Sequence, residues 1–412
     1  MRNDYNTARP LIMHIDLNSC FATVEQQARV RLRGRPVAIV NRRTEHTAII
    51  TASYEAKACG VKVGMRFRDA KKICPDIIML ESDPPKYRYV YHKLLKIMND
   101  YSAHVRMKSI DEGVIDFSES TAQILGRDLK DVGMEIKHRL KTEIGEAMRC
   151  NVGLGTNRFL AKTAAGLHKP DGLDEVWAHD LRNMYGSLKL TDLTGIAHRN
   201  QARLNGLGIY TALEFLDAPV QVLEKQVFKS VCGVEWHQRL RGWEVDKRDF
   251  PLRTVGRQYV LEGGHLTRQQ VLERLHHLAE ETGAKLRSQR MAARGVAVYA
   301  KTYEREYWKA RRILPLPFTS DRAIYEIAQQ LMSGGAPTAS LREIGVNCYE
   351  LTEDTDRQLT LFGDALACER RLVSAIDTIN NRFGRRTIHS AHTLETNNYI
   401  RQKIPFGSTR YL

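Results

Sequence analysis

The stretch Val105-Arg106-Met107-Lys108-Ser109-Ile110-Asp111-Glu112-Gly113-Val114-Ile115-Asp116-Phe117 reads as two strands around a tight acidic turn. Val105–Ser109 and Val114–Phe117 form the arms. The turn, Ile110–Gly113, places two carboxylates side by side and a glycine to relax the backbone, a hairpin signature. Working outward, Leu11–Ile15 is a short apolar run that ends in Asp16 and reads as a buried strand. Pro36–Val40, Ala48–Ala52 and Cys150–Gly155 are further strand-like runs. Between them lie helical patterns. One begins near Tyr54 and stops at Gly60, and one covers Arg66–Cys74 and is stopped by Pro75. Pro84-Pro85 opens a longer helix to about Tyr101. Leu125, Leu129, Val132, Ile136 and Leu140 recur at helical spacing and predict a single amphipathic helix. Strands, an acidic hairpin and two long helices together predict an antiparallel sheet backed by helices, an α+β domain.

The chain has 412 residues, room for two to four domains at about 100–200 residues each. Hydrophobic residues make up 42% and charged residues 27%, which excludes wholesale disorder. The net charge of +15 points to a polyanionic partner, a nucleic acid or an anionic membrane. No apolar run approaches the ~18–20 residues of a membrane span, and Met1–Tyr5 lacks the apolar core of a signal peptide. Seven cysteines with no C-x-x-C support neither a disulfide framework nor a zinc knuckle, so a reducing cytosol is expected.

Residues 181–245 read as short helices. Within them Leu193-Thr194-Gly195-Ile196 and Leu204-Asn205-Gly206-Leu207-Gly208-Ile209 resemble a helix-hairpin-helix, whose Gly-rich turn offers backbone N–H groups to a DNA phosphate. Ala197 replaces one usual glycine of that turn, and an ordinary helical hairpin has the same outline. Residues 253–351 give strand (Arg253–Leu261), helix (Thr267–Arg290), strands (Gly295–Tyr303 and Arg305–Leu314), helix (Ser320–Met332) and strand (Ile344–Leu351). This βαββαβ order predicts a four-stranded sheet with helices on one face. Lys285–Arg312 carries nine basic residues, interleaved with Tyr299, Tyr303, Tyr307 and Trp308. With several of them on the two central strands, Arg294, Lys301, Arg305, Lys309, Arg311 and Arg312 are expected to track phosphates from the open sheet face. For this module alone a merely solvated charged face is an equal reading.

Asp16, Asp111 and Glu112 would meet if their strands were neighbours. Three clustered carboxylates repel one another unless cations neutralise them, and Mg²⁺ suits such hard oxygen donors. Two such ions can activate an attacking oxygen and stabilise a leaving one.

Four motifs then occur in order: Asp16-Leu17-Asn18-Ser19-Cys20-Phe21-Ala22-Thr23-Val24-Glu25, Thr51-Ala52-Ser53-Tyr54-Glu55-Ala56-Lys57, Ser109-Ile110-Asp111-Glu112-Gly113 and His168-Lys169-Pro170-Asp171-Gly172. With these the chain resembles the Y-family DNA polymerases, the translesion enzymes of the DinB/UmuC kind, over residues 11–350. The resemblance implies a right-hand polymerase. The palm would be residues 1–21 and 81–180, small fingers 22–80, a helical thumb 181–247, a βαββαβ little finger 248–352 and a tail 353–412. It implies two Mg²⁺ held by Asp16, Asp111, Glu112 and the Leu17 carbonyl. Phe21 would be the steric gate against a ribose hydroxyl, and Thr51, Tyr54, Lys57 and Lys169 would bind the dNTP triphosphate. Ala48, Ile50 and Gly64 would roof the templating base. Gly113 stands where many members have Ala, Cys20 where many have an aromatic, and Ile50 is larger than usual. Gln358-Leu359-Thr360-Leu361-Phe362 resembles the bacterial sliding-clamp peptide, with Gln358, Leu359, Leu361 and Phe362 as its contacts. Asp377–Arg386 resembles a C-terminal element of UmuC-like members.

The resulting expectation is a low-fidelity, template-directed DNA polymerase that copies damaged DNA in the bacterial cytoplasm, associated with the nucleoid. Its partners would be primer–template DNA, dNTP and the sliding clamp. It would be monomeric, with an accessory subunit allowed for. A non-catalytic DNA- and clamp-binding protein of the same fold is the alternative, and the intact carboxylates argue against it. A nucleotidyl cyclase would explain the carboxylates but not the DNA-binding features.

Overall fold

The computed structural model describes residues 4–247, 251–261, 266–337, 340–354, 365–398 and 400. The described residues fall into two compact units, one ending at residue 247 and one beginning at residue 251. Twelve strands run in chain order among the described residues. They are β1 (Ile12–Leu17), β2 (Val37–Val40), β3 (Ile49–Ala52), β4 (Ile78–Glu81), β5 (Val105–Met107), β6 (Glu112–Asp116), β7 (Cys150–Gly155), β8 (Leu173–Glu175), β9 (Thr254–Val260), β10 (Met291–Thr302), β11 (Tyr307–Phe318) and β12 (Leu341–Glu353).

The first unit is built on a five-stranded sheet in the order β5-β6-β1-β7-β8. The acidic hairpin forms as expected, with Val105 opposite Ile115 and Met107 opposite Gly113. The first strand is central and antiparallel to both neighbours, so Asp16 faces Glu112 on one side and Asn151 on the other. Alternation along β1 sends Met13, Ile15 and Leu17 into the core, where they meet Leu94, Ile97 and Met98 of the helix Pro84–Asn99 and Val132 and Ile136 of the helix Leu129–Arg139. His14 and Asp16 point to the other face. The helix Pro84–Asn99 starts where its prolines need no N–H partner, and the Asp83 carboxylate caps it by accepting from Lys86 N.

The single helix expected over 125–140 is two. Ala122–Leu125 ends at Gly126, and Asp128 caps the second helix, Leu129–Arg139, by accepting from Lys130 N. A capping side chain and a glycine broke a pattern that apolar spacing alone carried through.

A small sheet, β3-β2-β4, pairs β2 antiparallel with β3 and parallel with β4. Ser53 caps the short helix Tyr54–Ala58 beyond it. Residues 181–240 hold short helices joined by turns. The helix His198–Asn205 ends in the glycine turn, and a Thr211–Glu214 capping box starts the helix Ala212–Asp217. Gly208 takes the left-handed conformation (φ 79°) that closes this hairpin.

The second unit holds the βαββαβ sheet in the order β11-β10-β12-β9, all antiparallel. The two central strands are therefore β10 and β12, not β10 and β11, and the Arg305–Leu314 run lies in the turn and on an edge strand. Helices Arg268–Ser288 and Asp321–Ser333 cover the face carrying Val296, Val298, Ala300, Ile344 and Val346. The other face carries Gly295, Ala297, Tyr299 and Lys301.

Residues 365–400, expected as part of a tail, belong to this second unit. The helix Ala365–Phe383 is tied down by Asp377, which pairs with Arg287 at 2.6 Å while Arg287 also pairs with Asp321 at 2.6 Å. The half-buried Glu280 carboxylate receives Ser390 N at 2.8 Å, the Thr393 hydroxyl at 3.0 Å and the Arg386 guanidinium. The element that resembled a UmuC-like feature thus packs on the helix Arg268–Ser288 of its own unit.

Candidate active site

The site forms where β1, the β5–β6 hairpin and the His168–Gly172 loop converge. Register places Asp16 directly across from Glu112. Antiparallel partners at such positions hold their Cβ atoms about 4.5–5.5 Å apart. Asp111 precedes Glu112, and its carbonyl accepts the Leu17 N–H at 2.8 Å, which fixes the turn against the end of β1. The Asp111 carboxylate takes the Ser109 hydroxyl as donor. Burial, with the charges of Asp16 and Glu112 adding to it, raises the Asp111 carboxyl above the usual range despite that hydroxyl.

Glu112 behaves oppositely. Burial works to raise it, but His14 and Lys162 outweigh that and hold its carboxyl down at about 2. Lys162, on the helix Arg158–Leu167, reaches both Glu112 oxygens at 2.7 and 2.9 Å. His14 Nε2 lies 3.3 Å from Glu112 Oε2, close enough for an ion pair but without hydrogen-bond alignment. The His14 ring is 1% exposed and neither of its nitrogens has a hydrogen-bond partner.

One ligand atom each from His14, Asp16 and Glu112 lie within 4.8 Å of one another. This set of hard oxygens, with an orphaned buried nitrogen beside them, fits a divalent cation. Asp111 lies outside that tight trio. His14 and Lys162 did not emerge from the sequence reading.

The residues expected at the triphosphate also gather here. Lys169 Nζ is 2.5 Å from Asp16 Oδ2. Lys57 Nζ donates to Ser19 Oγ at 2.7 Å and sits 4.5 Å from the centre of the Tyr54 ring. Burial lowers the Lys57 ammonium, Lys169 lowers it further, and Asp16 works against both. Two lysines and a tyrosine around one carboxylate form a pocket of positive charge suited to a polyphosphate. Thr51 lies on β3, half-buried.

Phe21 is 2% exposed in the helix Cys20–Ala28 and stacks on Tyr87, with ring centroids 4.2 Å apart. Ile50 packs partly against the main core, whereas Ala48 and Gly64 are exposed. Gly64 N donates to Ile49 O at 2.8 Å, which holds it beside β3. At Gly113 an added Cβ would meet Met107 Sδ at 2.6 Å and Met98 Cε at 2.8 Å, so two methionines fill the space an alanine methyl would take.

The expected DNA contacts divide. Gly206 and Gly208 form the hairpin turn, flanked by exposed Leu207 and Tyr210. Gly195 sits under the Trp236 ring, where a Cβ would approach within 3.0 Å. On the open face of the second unit, cross-strand pairing sets Lys309 opposite Tyr299 and Arg311 opposite Ala297. Lys301 shares that face but pairs with Glu343 at 3.0 Å, and Arg294 lies 3.7 Å from Glu350. Arg305 occupies the β10–β11 turn.

Arg312 corrects the sequence expectation. It pairs with Val296, on the helix-covered face, and donates to Gln330 of the helix Asp321–Ser333 at 2.8 Å. Consecutive residues of a strand face opposite ways, so Arg311 and Arg312 were never able to share a surface. Gln358, Leu359, Leu361 and Phe362 lie outside the described residues.

A carboxylate cluster shared by the central strand of an antiparallel sheet and its neighbour, with lysines beside it, is the arrangement of a metal-dependent nucleotidyltransferase. The chain belongs to the impB/mucB/samB family of Y-family polymerases. The family's sequence pattern matches residues 15–166, and that of its C-terminal domain matches residues 254–361. It is similar to a DNA polymerase IV of Pelotomaculum thermopropionicum, 33% identical over 95% of this chain and 97% of that one. A DNA polymerase IV of Moorella thermoacetica is 34% identical over 93% of this chain and 96% of that one. A solved Y-family DNA polymerase chimera, 22% identical, shares the fold with a TM-score of 0.71 over 82% of this chain and 98% of its own.

Proposed function

We propose that this chain is a translesion DNA polymerase that joins a primer 3′-hydroxyl to the α-phosphate of an incoming dNTP and releases pyrophosphate. The observation that carries the reading is the in-register pairing of Asp16 with Glu112, with Asp111 beside them and Lys57 and Lys169 at the Asp16 end. Asp16, Asp111, Glu112 and the Leu17 carbonyl would hold two divalent cations, which we take as Mg²⁺ from the hardness of the donors. When bound, such ions supply an activated hydroxyl and a stabilised leaving group.

The remaining work falls to the chain's own residues. Lys169 and Lys57, with Thr51 and Tyr54, bind and orient the triphosphate; Lys169 exchanges Asp16 for a phosphate oxygen as the nucleotide enters. Phe21 limits the space at the sugar and so rejects a 2′-hydroxyl by collision rather than by attraction. Ala48, Ile50 and Gly64 cover the templating base. The hairpin at Gly206 and Gly208, near Gly195, and the face carrying Lys301, Lys309 and Arg311 hold DNA through its phosphates, joined by Arg294 and Arg305 at its margin. Primer–template DNA, dNTP and a sliding clamp engaged through Gln358–Phe362 are the partners of this reading, with the protein acting as a monomer in the bacterial cytoplasm near the nucleoid. Among the described residues no helix is long and apolar enough to cross a membrane.

Primer extension on undamaged and lesion-bearing templates tests the proposal. Wild type should extend both, and Asp111→Ala neither; equal, absent synthesis by both proteins on either template would refute it and favour a DNA-binding accessory role.

A further inference from the structure

Lys169 is a long side chain on a surface loop, yet its ammonium sits 2.5 Å from Asp16. Two buried amides account for that. Asn18 directly follows β1 and is 3% exposed; Asn151 is the second residue of β7 and fully buried. Asn18 Nδ2 donates to Asn151 Oδ1 at 2.8 Å. Asn151 Nδ2 donates to the His168 carbonyl at 2.9 Å, and Asn18 Oδ1 accepts the Asp171 N–H at 2.8 Å. The residues on either side of Lys169-Pro170 are therefore gripped by two side chains that also grip each other. Each amide orientation is dictated, because a carbonyl needs a donor at one end and an N–H needs an acceptor at the other.

The surroundings leave the loop little freedom. Asp171 has a left-handed backbone (φ 60°), and Lys137 donates to its carbonyl. A Cβ at Gly172 would meet His168 O at 2.2 Å and Asn151 Nδ2 at 2.9 Å. Asn151 is also the cross-strand partner of Asp16, so the carboxylate and the anchor of its lysine ride on the same pair of strands.

We infer that Asn18 and Asn151 are positioning residues for nucleotide binding: their amide pair fixes the His168–Gly172 loop and so delivers the Lys169 ammonium to the triphosphate. This rests on the reading of Lys169 as a triphosphate ligand. A free lysine side chain samples many rotamers, and a loop held at both ends restricts the space over which that freedom is spread.

Isosteric acids break the relay without changing its shape. Asn151→Asp sets a carboxylate oxygen against the His168 carbonyl; Asn18→Asp sets one against Asn151 Oδ1 while keeping the acceptor for Asp171 N–H. Steady-state single-nucleotide incorporation, together with binding of a fluorescent dNTP, measures the result on full-length protein. The expected outcome is a rise of about tenfold in KM and in the dNTP dissociation constant, with a smaller change in kcat. A merely structural role would lower the melting temperature and the active fraction but leave KM alone. In a Lys169→Ala background, Asn151→Asp should add less than twofold. If Lys169→Ala leaves KM unchanged, the triphosphate reading itself is wrong. If Lys169→Ala raises KM but the Asn151→Asp effect is absent, or equally large in both backgrounds, the positioning role is overturned. Asn18→Asp carries the same test should Asn151→Asp fail to fold.

Discussion

Phe21 lies flat on Tyr87, the two rings 4.2 Å apart and 5° from parallel. Tyr87 is itself held from below, since its hydroxyl donates to Glu25 at 3.2 Å and Glu25 pairs with Lys86 at 2.9 Å. Phe21, proposed above as the gate, thus rests on a braced surface rather than standing alone. Phe21→Ala should admit ribonucleotides, lowering sugar discrimination by at least roughly tenfold, about 1.4 kcal/mol. Paired dNTP and rNTP incorporation measures this. Unchanged discrimination would remove Phe21 from the gate.

Lys162 competes with any cation for the Glu112 oxygens. Lys162→Met leaves the cluster more negative, so Mn²⁺ titrated into the DNA-free protein should bind severalfold more tightly by electron paramagnetic resonance. Weaker binding would mean that the lysine supports the ion site instead of opposing it.

Charges that meet DNA phosphates should show in the salt dependence of binding. Lys309→Ala and Arg311→Ala should each reduce the slope of log K against log salt by about 1. Arg312→Ala, on the helix-covered face, should leave the slope alone. Equal effects at Arg311 and Arg312 would contradict the strand geometry.

Arg287 bridges Asp321 and Asp377 while only 13% exposed. Arg287→Ala leaves two acids facing each other and should cost about 3 kcal/mol. Limited proteolysis should then cut within residues 365–400 faster than in wild type. Equal cutting rates would mean that this bridge does not hold the C-terminal helix.

Burial drives the His277 imidazole down to about 3, and the positive charges of Arg386, His389, Arg257 and His276 push the same way. Its Nδ1 lies 2.7 Å from the Thr396 hydroxyl. Below pH ~6.5 the unfolded chain takes up a proton here that the folded chain refuses. The stability contributed by this group is complete above that pH and is lost as pH falls toward 3. Calorimetric melting at pH 7 and pH 5 should show a drop on acidification that is smaller in His277→Gln.

Much of this architecture could be read from residues alone. The acidic hairpin announced itself through adjacent carboxylates, a glycine and flanking β-formers, and the βαββαβ order through alternating periods. The strands β4 (Ile78–Glu81) and β8 (Leu173–Glu175) did not, since the first holds a single β-branched residue and the second none, beside acids that strands disfavour. His14 lay hidden inside an apolar run; its two-residue spacing from Asp16 was the available signal, because strand alternation puts both on one face. Lys162 carried no local signal, since its partner is 50 residues away. The same alternation should have separated Arg311 from Arg312. Residues 365–400 read as a tail because their partners, Glu280, His277 and Arg287, lie on a helix about a hundred positions earlier.

The central strand of the first unit is made almost at once but completed late. Its second neighbour, β7, is translated roughly 140 residues afterward, about 7–30 s at bacterial elongation rates of ~5–20 residues/s. Through that interval Met13, Ile15 and Leu17 emerge from the ribosome without their final cover on one edge. Until residue 155 is clear of the exit tunnel one edge of β1 stays unpaired, the kind of open edge that other chains can pair with.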